Sequence, residues 1–571
     1  MAHLDKKYTI LFFSFSLTIF LIGSLIKLNI PLEGWDWIFV DAADNWSQGI
    51  NKVWMHDHPP LYAFFLTVLF KIFGQSITIG RIGNIFCALI TAIFLFRLAS
   101  KIFNHNVAFW SVIFYLLNPV SIQGTNSINL TDTSLLPLLF VLTIDSIREN
   151  ILRPTIKNSL FFSLLICFCF WAKITSSIAL CTSILTGNVA QLIFEKGEKA
   201  GRSYNLIIRN IVGIAIGLCL FFLTWFLVTT SLWGFDAFLA PFKFLSFVII
   251  SKYEESKLVS TIYHILRILI WASPYFFLIW LVKSWTIFRS SLSENGGQDN
   301  FKLFLIYFTI VYFVGNIAVG GTCYGFPRYH AAVLPLVSIF VGSYVSSLVN
   351  KLGKKEMILV CVGVVSLVLL YLFTLKDPLL FLNLQLKEML LYHHNKIDLV
   401  KYFFINLIPL YGIPILLSVI FIKFLRINNK NEAISVCLFI GLLATNLSLD
   451  VQQMFASYRT SYQYGAVGKN ELIQKANANI SMGDQVFGTW EFTYDLKDKQ
   501  VPYVDWSELE SKERFLNFIK EKRPKAIIGG LTVNTYDQLK WMLSEETQLM
   551  LNKNYIFQRI GTYYLWLRKP E

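Results

Sequence analysis

Long apolar runs, each of about twenty residues, recur from the start of the chain to about residue 450. A run of that length lets a helix cross the hydrocarbon core of a bilayer. The pattern therefore predicts an α-helical polytopic membrane protein with about thirteen transmembrane helices. Their predicted ranges are 8–30, 77–100, 106–125, 134–149, 158–172, 175–194, 205–230, 263–285, 302–320, 330–350, 357–375, 402–424 and 433–450.

The pattern changes after residue 450. Short apolar runs such as DQVFGTW at 484–490 and KAIIGG at 525–530 alternate there with amphipathic stretches such as SKERFLNFIKEKRP at 511–524. This alternation is typical of a small α/β domain. The sequence therefore predicts a transmembrane domain over 1–450 and a soluble α/β domain over 451–571.

Composition and charge agree with this division. The chain is 55% hydrophobic and only 15% charged, with a formal net charge of +14. The segment from residue 451 onward holds sixteen Lys and Arg against fourteen Asp and Glu, so the positive excess lies on the membrane part. There it indicates membrane topology by the positive-inside rule rather than nucleic-acid binding. The eight cysteines lie in or beside apolar runs, and their spacing predicts no disulfide framework.

We expect a multi-pass protein of the plasma (inner) membrane, and the positive-inside rule predicts that its N-terminus is cytoplasmic. The first span is expected to be a retained anchor, because no small-residue cleavage site follows it cleanly. On this topology the first outer loop 31–76, a long loop 231–263 and the C-terminal domain face the extracytoplasmic (periplasmic) side. The unusual polar groups of the chain then collect at one membrane face.

The first outer loop is the richest in candidate chemistry. It contains Asp41, Asp44, His56, Asp57 and His58 within eighteen residues. Carboxylates and imidazoles in one loop can pair with each other, bind a metal ion or substrate, or accept a proton. The alternative is that these side chains are simply solvated.

Two further sequence features concern helix starts. Asp132, in NLTDTSLLP, has either a second catalytic or metal-binding role or only the role of an N-cap for the helix that follows. Pro59 and Pro60 suit the first turn of a helix, so the segment after them is predicted to be a helix lying in the membrane interface.

Two regions, one at Lys173 and one at 328–330, supply cations and aromatic groups. Lys173 interrupts the apolar run 158–194, and we expect two half-depth helices to meet at it. A lysine there either snorkels to the interface or binds an anion in a buried pocket. Arg328 suits bidentate phosphate binding or interface anchoring. Tyr329 and His330 follow it as candidates for metal or substrate contact.

These motifs together resemble the GT-C membrane glycosyltransferases, and more narrowly the protein O-mannosyltransferase and aminoarabinose transferase branch. The resemblance covers most of the membrane part and depends on six short stretches. They are DAADNW at 41–46, HPPLY at 58–62, GRIGNIF at 80–86, NLTDTSLLP at 129–137, WAKITSS at 171–177 and PRYHAAVLPL at 327–336.

The resemblance implies an inverting glycosyltransferase of the GT-C fold that uses an undecaprenyl- or dolichyl-phosphate sugar. Asp41 would be the general base, and His58, Lys173 and Arg328 would face the donor phosphate. Ala42 stands where the family has a second acid, and His58 stands where the aminoarabinose branch has lysine. The sugar, the acceptor (lipid, glycan or protein) and dependence on a divalent metal ion therefore stay open.

Two other functions fit the same composition. A lipid-linked sugar flippase or transporter is expected to show internal repeats and polar residues at the bilayer midplane. The sequence shows no internal repeat, and its charged groups lie near one membrane face, which favours the enzyme. A relative that binds lipid-linked glycan without turnover would share the fold and lack only activity.

Overall fold

The computed structural model describes sixteen stretches and five single residues of the 571-residue chain. The described residues are 6–30, 32, 36–54, 58–126, 131, 133–194, 198–251, 274–293, 301–319, 328–374, 412, 415–416, 419–420, 430–455, 468–488, 492, 495–496, 503–505, 511–530, 538 and 541–570.

The chain forms two compact units. The first comprises Met1–Leu28, Ala42–Lys376 and Asn406–Met454, and the second comprises Asn29–Asp41, Asp377–Ile405 and Phe455–Glu571. The predicted domain boundary at 450/451 stays a prediction.

The regular elements of the first unit are all helices in its described part, and one of them, α2, begins in the second unit and continues into the first. The helices are α1 (Lys6–Ile26), α2 (Asp36–Ser47), α3 (Leu61–Phe73), α4 (Ile77–Ile102), α5 (His105–Leu116), α6 (Pro119–Asn126), α7 (Leu135–Leu152), α8 (Ile156–Ala172), α9 (Ile174–Phe194), α10 (Glu198–Leu232), α11 (Phe235–Ser251), α12 (Pro274–Ser293), α13 (Phe301–Val319), α14 (Arg328–Ala331), α15 (Leu334–Val349), α16 (Lys354–Thr374) and α17 (Lys430–Phe455).

The prediction of a multi-pass helical membrane protein is confirmed. Within the described ranges, four helices are individually long and apolar enough to cross a bilayer, and a bent pair makes a fifth candidate. The four are Ile77–Ile102, Ile174–Ile193, Tyr204–Leu232 and Glu432–Val451. Other apolar helices, such as α3, α8 and α15, are shorter. The count of thirteen spans and their orientation stay predictions.

The local structure differs from the expectation at three places. The predicted span 106–125 consists of two helices, α5 and α6, which are bent by 53° and together remain a candidate span. The break falls at Leu117 and Asn118, directly before Pro119. Proline disfavours helix in the preceding residue, and Asn118 Oδ1 accepts a hydrogen bond from the Val120 backbone N–H at 2.9 Å. The expected loop 231–263 contains α11, and α9 has a twenty-residue apolar stretch rather than a half-depth one.

The described part of the second unit has the predicted α/β character. Three helices, α18 (Lys469–Asn479), α19 (Lys512–Lys522) and α20 (Glu545–Asn554), accompany a five-stranded sheet. Its strands are β1 (Val486–Gly488), β2 (Tyr503–Asp505), β3 (Ala526–Gly530), β4 (Tyr555–Ile560) and β5 (Tyr563–Arg568), in the order β2-β1-β3-β5-β4. The pairs β1–β2 and β1–β3 are parallel, whereas β3–β5 and β4–β5 are antiparallel.

Both faces of the central strand β3 are covered, which explains its uninterrupted apolar sequence. Ala526 and Ile528 of β3 belong to the buried cluster that contains Leu472 of α18. Ile527 belongs to the cluster on the opposite face, with Phe515 of α19. Successive strand residues point to opposite faces, so a strand buried on both sides needs apolar residues at every position.

Candidate functional site

Asp41 and Asp44 lie on helix α2, not in a loop as their sequence context suggested. They are three residues apart, so their side chains project from one side of the helix about one turn apart. Both residues are half-buried, so solvent reaches their side chains only in part. Gln75 Nε2 donates a hydrogen bond to Ser47 Oγ at 3.0 Å, which links the end of α2 to the segment before α4.

An aromatic cluster in the first unit surrounds the region after α2. The Trp46 ring stacks on the Trp233 ring, with centroids 5.3 Å apart, and lies 5.1 Å from the Phe64 ring. Phe64 also lies 6.1 Å from Trp171, two residues before Lys173. The cluster therefore brings together α2, α3, the end of α8 and the end of α10. Sequence analysis missed it, although all four residues are tryptophan or phenylalanine near helix ends.

The backbone at His58 is held by the same group of tryptophans. Trp54 Nε1 donates a hydrogen bond to the His58 carbonyl oxygen at 2.7 Å, and the Trp54 ring lies 5.8 Å from that of Trp46. Trp54 is buried and His58 is half-buried. Helix α3 begins directly after Pro60, as the proline pair predicted.

Lys173 stands at a break between α8 and α9, as predicted. Its φ of −165° and ψ of 116° are extended, and the residue is only 2% exposed. The Lys173 N–H donates to the Cys169 carbonyl at 2.9 Å, while the Lys173 carbonyl accepts from the Ser177 N–H at 3.1 Å and hydroxyl at 2.8 Å. These bonds satisfy the backbone across the break, so an extended residue persists between two apolar helices.

Helix α6 is fully buried, although it carries several polar residues. The Tyr62 hydroxyl donates to Asn84 Oδ1 at 2.7 Å, and Asn84 Nδ2 approaches the Thr125 carbonyl at 3.4 Å. The Thr125 hydroxyl in turn lies 2.9 Å from Ser24 Oγ. The chain of contacts links α1, α3, α4 and α6, and all four side chains are buried.

Arg81 completes the connection between α4 and α6. Arg81 Nε donates to the Asn126 carbonyl at 2.9 Å, and Nη1 donates to the Leu28 carbonyl at 2.6 Å. Arg81 is fully buried, and buried guanidinium groups are tolerated only with such partners. Thr133 Oγ1 lies 3.2 Å from the Gly124 carbonyl, which connects α6 to the segment that begins α7.

The structure describes the remaining predicted site residues only in part. Arg328 and Tyr329 begin the four-residue helix α14, which packs against α6, but their side chains lie outside the description. His330 is buried, with its ring 4.4 Å from that of Phe313. His56, Asp57 and Asp132 lie outside the described residues.

A metal site is not visible in the part of the chain that the structure describes. No group of three or more His, Cys, Asp and Glu side chains comes close enough there to hold an ion. The catalytic, phosphate-binding and metal-binding roles suggested above therefore stay predictions, although the aromatic cluster and α6 bring several of the stretches that carry them together.

Comparison with known proteins confirms the resemblance. Residues 57–225 match the family model described as dolichyl-phosphate-mannose-protein mannosyltransferase. Two similar solved structures are of ArnT from Cupriavidus metallidurans. The one bound to undecaprenyl phosphate has a TM-score of 0.57 at 14% identity, covering 99% of this chain and 100% of that one. The apo structure has a TM-score of 0.55 at 13% identity, covering 100% of both chains. No curated protein matches the chain in sequence.

Proposed function

We propose that the chain is an inverting glycosyltransferase that moves a sugar from a polyprenyl-phosphate carrier to an acceptor at the outer face of the membrane. The observation that carries the proposal is the buried Lys173 at the α8–α9 break, joined through Trp171 and Phe64 to the segment that begins with His58. Both stretches lie within the part of the chain that matches the mannosyltransferase family model.

The charges in this arrangement suit the departure of a lipid phosphate. The acceptor oxygen or nitrogen attacks the anomeric carbon while the bond from that carbon to the phosphate oxygen breaks and its electron pair stays on the phosphate. Lys173, His58 and Arg328 are proposed to stabilise the developing negative charge. Asp41 is proposed to take the acceptor proton, and one such displacement inverts the anomeric carbon.

The carrier is proposed as undecaprenyl or dolichyl phosphate. One ArnT structure is bound to undecaprenyl phosphate, which supports a donor of this class here because the folds agree. The acceptor is proposed to be an envelope lipid, glycan or protein, and the positive-inside pattern supports a reaction at the periplasmic face.

The test is transfer by the purified full-length chain in nanodiscs, with a panel of radiolabelled polyprenyl-phosphate sugars and an envelope extract as acceptor. Asp41→Asn should reduce transfer by at least about a hundredfold, in the range expected for loss of a general base. Asp236→Asn is the matched control, because Asp236 is 79% exposed and only weakly paired with Lys243 at 3.7 Å. It should leave transfer unchanged.

Full activity of Asp41→Asn would contradict the proposed base. Binding of labelled lipid with no transfer from any donor would favour a flippase or a non-catalytic binding protein instead. Loss of transfer on adding a chelator, restored by one divalent metal, would establish metal dependence. Unchanged transfer would exclude a readily removed metal.

A further inference from the structure

The segment that leads to Asp41 belongs to the C-terminal unit in space. Asn29–Asp41 clusters with Phe455–Glu571 rather than with the helices that flank it in sequence. Within this unit, Lys469 Nζ donates a hydrogen bond to the Leu32 carbonyl, across 437 residues of chain. Leu32 is fully buried and Lys469 is 4% exposed, so this contact is an internal one.

Lys469 is held by more than this bond. Its Nζ lies 3.1 Å from Asp495 Oδ2 and 5.0 Å from the centre of the Phe492 ring. The side chains of Lys469 and Asp495 are 3% and 11% exposed. A buried lysine is rare unless it is paired, and here the carboxylate and the ring compensate its lost hydration.

The backbone conformation of Gly468, directly before Lys469, determines where Lys469 lies. Gly468 has a φ of +88°, a conformation that side chains rarely adopt, and a Cβ there would lie 2.8 Å from the Ile560 carbonyl oxygen. Glycine therefore lets the start of α18 approach the end of β4 closely. The close approach puts Lys469, the first residue of α18, inside the unit rather than on its surface.

The geometry points to Lys469 as a positioning residue, through which the C-terminal unit holds the segment that carries Asp41 in place for transfer. Leu32 lies nine residues before Asp41 and four before the first residue of α2, Asp36, which is also fully buried. Fixing the Leu32 backbone therefore fixes the start of α2. The catalytic part of this inference rests on the proposed function, whereas the contact itself does not.

The hydrogen bond from Lys469 Nζ to the Leu32 carbonyl acts as a tether on the segment before α2, and its donor is charged. A hydrogen bond from an ammonium group to a carbonyl is worth more than a neutral one, and it loses little to water when the site is buried. Small displacements of a catalytic group reduce turnover steeply. Losing the tether is therefore expected to lower kcat while leaving the KM for the lipid donor unchanged, since Lys469 is not proposed to touch the donor.

The experiment compares two paired variants with the wild type, because removing the lysine alone would leave Asp495 buried and uncompensated. Lys469→Met with Asp495→Leu replaces the pair by apolar groups of similar size. Lys469→Gln with Asp495→Asn keeps its shape without charge, in case the first pair fails to insert. Lys475→Met is the control on the same helix, since Lys475 is half-exposed in a surface pair with Glu471.

Two readouts are measured on full-length protein in nanodiscs: transfer kinetics and hydrogen exchange of the α2 backbone amides. Both paired variants should lose about tenfold in kcat at unchanged donor KM, and their α2 amides should exchange faster. Lys469→Arg keeps a cationic donor and should restore both properties towards the wild type. The Lys475→Met control should match the wild type.

Wild-type kcat and wild-type exchange of α2 in a paired variant would overturn the inference. A fall in thermal stability with kcat per folded molecule unchanged would also overturn it, because that result indicates a merely structural pair. If the wild type itself transfers no sugar but α2 exchanges faster in the variants, the proposed function fails while the tether stands.

Discussion

Replacing Gly217 by alanine is expected to push α8 away from α10. Gly213 and Gly217 are four residues apart on α10 and face α8, in the small-residue pattern that lets membrane helices approach closely. A Cβ at Gly217 would lie 2.7 Å from the Ser163 carbonyl oxygen and 2.8 Å from Ile166 Cβ. Because one of these atoms is backbone, a side-chain rotation cannot relieve the contact.

The size of the effect follows from that distance. Restoring an ordinary separation of 3.4 to 4 Å from 2.7 Å requires a shift of roughly 0.7 to 1.3 Å. Overpacking of this kind costs about 1–3 kcal/mol of unfolding free energy. Alanine also improves helix propensity by about 1 kcal/mol, so the net loss for Gly217→Ala is about 0–2 kcal/mol.

Gly315→Ala isolates the packing contribution. Gly315 lies within α13, and a Cβ there meets no atom of the described residues within 4 Å. The control should therefore gain stability or stay unchanged, and the difference between the two variants should be about 1–3 kcal/mol.

The assay is unfolding of the full-length chain in nanodiscs, followed by transfer kinetics. Helix α8 ends one residue before Lys173, so its displacement should also lower kcat by up to about tenfold. Equal stabilities and equal kcat values for Gly217→Ala and Gly315→Ala would refute the reasoning, because they would show that α8 and α10 absorb the extra methyl group freely.

Two further predictions test polar groups. Arg81→Met keeps the bulk of the side chain but removes its hydrogen bonds to two carbonyls. Each such bond is worth about 0.6–2 kcal/mol inside a membrane protein, so the unfolding free energy in nanodiscs should fall by about 1–4 kcal/mol. An unchanged unfolding free energy would show that those carbonyls find other donors. Burial raises the pKa of Asp495 above its usual 3.8, although the attraction of Lys469 opposes this shift. At pH values between 3.8 and the raised pKa, the folded chain therefore binds a proton more readily than the unfolded chain. The unfolding free energy should therefore fall as pH rises through that range, and melting temperatures measured against pH should lose this component in Asp495→Asn. An identical pH dependence in the variant would contradict the assignment.

Much of the fold is determined locally and could be predicted from the sequence. Apolar runs must form helices in a bilayer because every backbone polar group needs an internal partner, and that requirement does not depend on distant residues. The same holds for the start of α3 after Pro60 and the break at Lys173, which follow from proline chemistry and from one cation in an apolar run. The alternation of apolar and amphipathic segments likewise indicated the α/β character of the C-terminal region.

Only the tertiary structure decided which of these segments meet. The stacking of Trp46 on Trp233 and the bond from Lys469 to Leu32 join residues separated by 187 and 437 positions, respectively. A local hydrophobic pattern records which side of a helix is apolar, but it does not record the partner against which that side packs. The placement of Asp41 on a half-buried helix, and of its leading segment in the C-terminal unit, depends on such distant partners because packing and buried charge pairing are satisfied only when both surfaces are present.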